Sequence, residues 1–211
     1  FELKQRIAHN FATQNRAVTK KDYMSLVYRM PAQFGAIRKC NILQDSDSFK
    51  RNLNVYVISE DEGGFLTESN NTIKQNLKTW LNQYRMVNDT VDILDAKVVN
   101  LGIDFVAIGR ANQNKVALFN QILARLKNFL NLNPEIGEPF YITDVYKIIN
   151  TTPGVIDTTD VAIVNKTGGA YSDIAYNIEH YMSPDGRLLE APENVIFEIK
   201  YPNLDIKGTI K

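Results

Sequence analysis

Residues 14–23 read Gln14-Asn15-Arg16-Ala17-Val18-Thr19-Lys20-Lys21-Asp22-Tyr23, and they predict where the first helix of the fold begins. Thr19 is followed three residues later by Asp22, which is a variant of the capping box found at helix N-termini. Four apolar residues then follow at the i, i+3, i+4, i+7 spacing of a helix face: Tyr23, Leu26, Val27 and Met30. Because proline cannot continue a helix, Pro31 ends the pattern.

The order helix, proline, glycine, strand occurs twice in the chain. In residues 22–42 a helical pattern leads through Pro31 and Gly35 into an apolar strand pattern, and residues 144–163 repeat the order through Pro153 and Gly154. The repetition indicates either a duplicated supersecondary unit or a coincidence of common turn residues, and the sequence leaves both open.

The remaining pattern predicts an α+β fold. Apolar residues at helical spacing predict helices over 72–86, 114–132 and 143–150, and a short leading helix on Leu3, Ile7 and Phe11. Runs rich in β-branched and aromatic residues predict strands at 36–43, 53–59, 159–164 and 195–201. Residues 91–108 are expected to be extended in three pieces, at 91–93, 98–103 and 105–108, with a bulge or bend at Gly102. A turn is expected at 183–186, and Leu204, Ile206 and Ile210 predict a last strand. We therefore expect two αβ lobes with mixed sheets, plus a C-terminal β-rich segment.

The expected boundaries follow these patterns. Residues 1–16 are expected to form an N-terminal helix that belongs to a truncated element, because Phe1 is the first residue and no methionine precedes it. Residues 17–110 form the first αβ lobe and residues 111–168 the second. Residues 169–211 form the C-terminal β segment, which packs on the lobes.

Charge and composition exclude several function classes. Lysine plus arginine and aspartate plus glutamate both number 24, so no long-range field attracts nucleic acid or an anionic bilayer. No apolar run approaches the ~20 residues of a membrane-spanning helix. The lone cysteine, Cys40, lies in a predicted strand and is expected to be a small buried residue.

The sequence predicts no catalytic, cofactor-binding or metal-binding residue, and hence no enzyme. His9 and His180 are the only histidines, and neither has cysteine or carboxylate partners at ligand spacing or a nucleophile-elbow motif. No glycine-rich phosphate loop is present. The acidic run at 60–64 lacks the alternating oxygen ligands of a calcium loop, and Gly168-Gly169 is expected to be a plain turn.

Tyrosines gather near the C-terminal part of the chain, at Tyr171, Tyr176 and Tyr181. Aromatic residues often anchor protein interfaces, which makes these three the candidate interface residues. The alternative is that they cover the core of the C-terminal sheet. Because Asp173 and Glu179 stand between them where a site for single-stranded nucleic acid would have basic residues, such a site is not expected.

Several of these stretches also resemble one protein family. The pattern Asn-Arg-Ala-Val-Thr-x-x-Asp-Tyr at 15–23 resembles the entry to the conserved region of baseplate J-like proteins from contractile phage tails. Residues 54–59, 72–86 with 91–95, and 153–157 resemble later parts of that family in the same order. Residues 183–187 and 192–196 resemble the C-terminal β region of the wedge subunits of T-even-type phages.

This resemblance implies a structural protein and brings no catalytic residues. It implies the C-terminal region of a tail baseplate wedge subunit, which self-associates, joins other wedge proteins into the baseplate ring and rearranges when the sheath contracts. The location implied is the virion tail baseplate, after assembly in the bacterial cytoplasm, with no nucleic-acid or membrane partner and no cofactor. The alternative from the residues alone is a small-molecule-binding or enzymatic α+β domain built from repeated αβ units.

Overall fold

The computed structural model describes residues 16–45, 51–111, 113–130 and 134–211. These residues group into two compact units that divide between Ala96 and Lys97. The sequence-based boundary lies instead at residue 110, and the further division at residue 168 stays a prediction. The predicted helix on residues 3–11 lies outside the described residues.

The first unit contains two α-helices, one short 3-10 helix (Ala32–Phe34) and four strands among its described residues. The helices are α1 (Lys20–Tyr28) and α2 (Asn71–Asn82), and the strands are β1 (Lys39–Gln44), β2 (Arg51–Glu60), β3 (Leu66–Thr67) and β4 (Asp89–Asp95). β2 is central: β1 and β3 pair with it antiparallel, and β4 pairs with it in parallel. The β2–α2–β4 connection therefore forms a βαβ unit, in which the helix covers the sheet.

The predicted capping box is present at the start of α1. The Asp22 N–H donates to Thr19 Oγ1 at 3.2 Å, and the Thr19 N–H donates to Asp22 Oδ2 at 2.9 Å. The helix ends at Tyr28, ahead of Pro31. Each bond satisfies an N–H that would otherwise lack a partner at the helix N-terminus.

The core of the first unit lies between its sheet and its two helices. The apolar faces of α1, α2, β1, β2 and β4 form this core, and Cys40 is buried in it as a small residue, as predicted. A polar contact crosses the same region, because the buried Tyr23 hydroxyl donates to Asp89 Oδ2 at 2.9 Å. Trp80 Nε1 donates to the Leu26 carbonyl at 3.0 Å, so α2 is also fixed to α1.

The second unit carries the longest strands and the longest helix of the described residues. Its helices are α3 (Lys115–Leu130), α4 (Ile142–Asn150), α5 (Ile178–Tyr181) and α6 (Pro202–Asp205). Its strands are β5 (Lys97–Gly109), β6 (Phe140–Tyr141), β7 (Val155–Lys166), β8 (Leu188–Leu189), β9 (Val195–Glu198) and β10 (Ile206–Ile210). The second helix-proline-glycine-strand stretch is α4 followed by β7.

β5 is the central strand of the second unit. β7 pairs with it antiparallel on one side, and β9 and β10 pair with it in parallel on the other. The inward side chains of β5, including Leu101, Ile103 and Phe105, pack against Leu118 and Ile122 of α3 and against α4. Both units therefore contain a mixed sheet covered by helices, and the predicted α+β class is confirmed.

The predicted bulge at Gly102 is wrong. Gly102 sits in regular pairing opposite Val164, and the pairing is irregular later, between Val106 and Ala107 and between Ile108 and Gly109. Gly102 instead lies close to two neighbouring groups. A Cβ there would lie 2.7 Å from Lys166 Cε and 3.1 Å from the Asp205 carbonyl oxygen.

The C-terminal stretch forms part of the central sheet of the second unit, whereas the sequence predicts a separate segment that packs on the lobes. Residues 202–205 form α6, so Leu204, expected in a strand, is helical and exposed. β9 and β10 complete the sheet around β5. The turn at 183–186 is present, with the Gly186 N–H donating to the Ser183 carbonyl at 2.8 Å. No helix in the described parts of the chain combines the length and apolar character needed to cross a membrane.

Candidate interaction surface

The three predicted interface tyrosines lie in one stretch of the second unit, between β7 and the turn at 183–186. Tyr171 lies at one end of it, where its hydroxyl donates to Asp205 Oδ1 at 2.5 Å and its ring meets Tyr201 edge to face at 5.7 Å. The hydrogen bond to the Asp205 carboxylate raises the pKa of Tyr171 to about 12, because ionising the hydroxyl would remove the donor. Tyr171 thus fastens the stretch to α6.

Tyr176 and Tyr181 stack on each other, with ring centroids 4.6 Å apart. The Tyr176 ring also meets the buried Phe197 ring edge to face at 5.5 Å, and its hydroxyl donates to the Glu190 carbonyl at 2.7 Å. Burial raises the pKa of Tyr176 above its ordinary range. These two rings cover the core of the second unit, as the alternative interpretation expects. Their role in an interface stays a prediction.

Side-chain hydrogen bonds attach the loop at 167–177 to its neighbours in the second unit. Buried Asn100 accepts the Ser172 N–H at 2.7 Å through Oδ1 and donates to Glu198 Oε2 at 2.8 Å through Nδ2. Lys200 Nζ donates to the Ala170 carbonyl at 2.5 Å. Between these anchors, residues such as Asp173 and Ala175 remain exposed. A loop ordered in advance loses little conformational entropy when it binds a partner.

Sequence reasoning missed the anchors of this loop. Asn100 carried a signal, since it is a polar residue inside the apolar run 98–101. Asp205 carried no such signal, because nothing in the local pattern after Pro202 marks it as a buried residue. Its burial depends on Tyr171 and on the Tyr201 N–H, which donates to Asp205 Oδ2 at 2.7 Å.

The edge of β4 in the first unit is lined by charged side chains from α2. Lys74 Nζ lies 2.6 Å from Asp95 Oδ2, and Lys78 Nζ lies 3.2 Å from Asp92 Oδ1. Two open, polar cavities of about 430 and 450 Å³ lie along this edge, and both are lined by Lys78 and Asp92. Lysines along an edge strand oppose pairing with another strand.

The described residues contain no cluster suited to holding a metal ion. His180 is exposed in α5 and contacts the Tyr181 ring, and His9 lies outside the described residues. Within the described part of the chain, no group of three or more His, Cys, Asp or Glu side chains could hold a metal ion. The acidic run at 60–64 is a turn, in which Asp61 Oδ1 accepts the Gly63 and Phe65 N–H groups at 2.9 Å each.

Comparison with known proteins shows a fold relationship. No model of a protein family matches the chain, and no curated protein matches it. Among solved structures, it is similar to a chain in the cryo-EM structure of the anti-feeding prophage (AFP) baseplate, 6-fold symmetrised, with a TM-score of 0.59 and 14% identity. The match covers 95% of this chain and 41% of that chain, so this chain spans less than half the length of the one it matches. The two chains share a fold over nearly all of the sequence analysed.

Proposed function

We propose that this chain is a structural component of a contractile-tail baseplate, acting as a wedge subunit that self-associates and joins neighbouring wedge proteins into the baseplate ring. One observation carries the proposal: the likeness to a chain of the AFP baseplate extends over 95% of the sequence. The proposed location is the virion tail, with assembly in the bacterial cytoplasm.

The surface of the second unit supports an assembly role. The loop at 167–177 presents exposed residues on a backbone that Asn100, Lys200 and Asp205 hold in place. Tyr176 and Tyr181 of the same segment stack on each other and pack against the core of the second unit. We assign the contact with a neighbouring wedge protein to the exposed side of this Tyr171–Tyr181 segment.

Localisation tests the proposed function. The full-length protein that contains this sequence is tagged, particles are purified, and the tag is located by electron microscopy. Label at the tail baseplate is the expected result, and removal of the tail should remove the label. Label on the capsid or along the sheath, or particles without label although the protein is expressed, would overturn the proposal.

A matched pair of substitutions tests the contact segment. Ala175→Arg places a bulky cation on the exposed side of the segment, whereas Ala162→Arg places the same group on an exposed position of β7. We expect Ala175→Arg to lower incorporation into particles at unchanged melting temperature, and Ala162→Arg to leave incorporation unchanged. Equal incorporation of both variants would remove the segment from the proposed interface.

A further inference from the structure

β10 has a row of backbone groups that face away from its own sheet. The Lys211 N–H donates to the Ala107 carbonyl at 2.9 Å, and the Gly109 N–H donates to the Lys211 carbonyl at 3.0 Å, so the backbone of Lys211 faces β5. Strand alternation then turns the N–H and C=O groups of Gly208 and Ile210 away from β5. Among the described residues, none forms a hydrogen bond with these groups.

One side of α3 extends along the same edge. Arg125 Nη1 donates to the Thr151 carbonyl at 2.6 Å, so that side of the helix faces α4. Lys127 on the other side contacts the Asn203 side chain in α6, directly before β10. Helical spacing places three more residues on the Lys127 side of α3: Val116, Asn120 and Leu123. Val116 is 68% exposed. We call these four residues the outer stripe of α3.

We propose that two copies of this chain pair antiparallel through their β10 strands, about a twofold axis at Gly208. In this register Gly208 lies opposite the Gly208 of the second copy, and Ile206 lies opposite its Ile210. The two glycines exchange two hydrogen bonds, and each Ile210 N–H donates to the opposite Ile206 carbonyl, which gives about four bonds. The two sheets become one continuous sheet.

The side chains suit a second copy as the partner. Lys207 lies opposite Thr209 of the second copy, so no like charges face each other across the pair, and both side chains are exposed on the outer face of the sheet. The outer stripes of the two α3 helices run antiparallel beside the joined strands. Val116 then lies near the aliphatic stem of the other Lys127, and Asn120 lies near the other Leu123.

The three longer edge strands, β1, β4 and β7, suit self-pairing less well. At β1, the Cys40 N–H already donates to the Tyr28 hydroxyl oxygen at 3.1 Å. Antiparallel pairing of β4 about Asp92 would bring two aspartates together, and Lys74 and Lys78 line that edge. At the edge of β7, the Val161 N–H already donates to the Tyr146 hydroxyl oxygen at 3.0 Å. β10 shows neither obstacle among the described residues. A twofold contact of this kind is the commonest form of homo-oligomer.

Opposite charges introduced at one position test the pairing. Thr209→Glu faces the second copy's Lys207, and Thr209→Lys makes a like-charge pair, twice in each dimer by symmetry. We expect the dimer dissociation constant, measured by sedimentation equilibrium over a wide concentration range, to fall with Glu and rise with Lys, each on the order of 2- to 30-fold. Thr159→Lys, an exposed threonine of β7, is the matched control and should leave the dissociation constant unchanged.

Amide exchange locates the contact. The Gly208 and Ile210 amides should gain protection as the protein concentration rises, and Thr209→Lys should remove that gain. A monomer at all concentrations, or equal effects of the two Thr209 variants, would overturn the pairing.

This inference rests on the self-association part of the proposed function, and the two can fail separately. Dimers that pass these tests in a protein absent from the baseplate would leave the pairing intact and remove the baseplate role. Baseplate labelling with a strictly monomeric chain would leave the baseplate role intact and remove the pairing.

Discussion

Substitution of Gly208 by alanine gives the sharpest test of packing in the second unit. Gly208 in β10 lies opposite Phe105 in β5, and a Cβ on Gly208 would lie 2.2 Å from Cζ of the Phe105 ring. The ring has little freedom to move away, because it stacks on Phe119 of α3 at 6.1 Å with an interplanar angle of 12°. The new methyl group must therefore displace a core aromatic ring.

Two effects of opposite sign compete in this variant. Replacing glycine by alanine in a strand normally stabilises a protein by about 0.4–1 kcal/mol, because it reduces the entropy of the unfolded chain. Forcing an extra methyl group into a packed core costs about 1–3 kcal/mol. Because the contact would be far closer than van der Waals distance, we expect the upper part of that range and a net loss of about 1–2.5 kcal/mol.

Urea denaturation followed by amide exchange at β5 and β10 measures this loss in the second unit. The only tryptophan, Trp80, lies in the first unit, so its fluorescence transition serves as an internal control and should not shift. Phe105→Leu removes the ring that causes the clash, and in that background the alanine should cost at least about 1 kcal/mol less. A stable Gly208→Ala variant, or an equal cost in both backgrounds, would refute the packing argument.

Three further substitutions test individual contacts. Thr19→Ala should destabilise the first unit by about 0.5–2 kcal/mol in tryptophan-monitored unfolding, whereas Thr19→Ser should retain most of the cap; equal losses would argue against the capping bond. Tyr23→Phe leaves the buried Asp89 carboxylate without its donor, and a cost of about 1–3 kcal/mol is expected in the same assay; a change within error would contradict the contact. Folding raises the pKa of Tyr171 from 10.0 to about 12, so its contribution to stability is complete below pH 10 and is lost as the pH rises through 12. Tyr171→Phe should remove the bond to Asp205 and flatten that part of the alkaline loss, and a pH profile of unfolding unchanged from the parent would contradict this.

The local parts of the fold could be predicted from the sequence because their signals are local. Thr19 and Asp22 stand at the spacing that a cap requires, and the structure contains both of their bonds. Periodicity also predicted α2, α3 and α4. The predicted ends of these helices lie within a few residues of the observed ends. These signals need only the contacts that a helix makes with itself and one apolar face.

The pairing of strands could not be read from the same patterns. The sequence pattern divides residues 91–108 into extended pieces at 91–93, 98–103 and 105–108, but it does not show that the first belongs to β4 and the others to β5, in different units. No glycine or proline marks the change at Ala96. β5 then pairs with segments that begin as much as about 100 residues later, and no local preference encodes such partners.

The candidate surface shows the same limit. The tyrosines were found because aromatic residues stand out, but whether a ring covers a core or meets a partner depends on what lies beneath it. Phe197 lies beneath Tyr176, and Asp205 receives the Tyr171 hydroxyl. Both come from the last 15 residues of the chain. The free edge of β10 was equally hidden, because an edge exists only once the strand order is known.

The position of β5 at the centre of its sheet has a consequence during synthesis on the ribosome. All the strands described in the first unit are available once Ala96 has emerged, so this unit can fold while the remaining chain is still being made. β5 emerges next, but its neighbours β7, β9 and β10 all come later in the chain. For much of translation the longest strand among the described residues therefore has no sheet partner, and this nascent state is the one in which the chain most needs protection from aggregation.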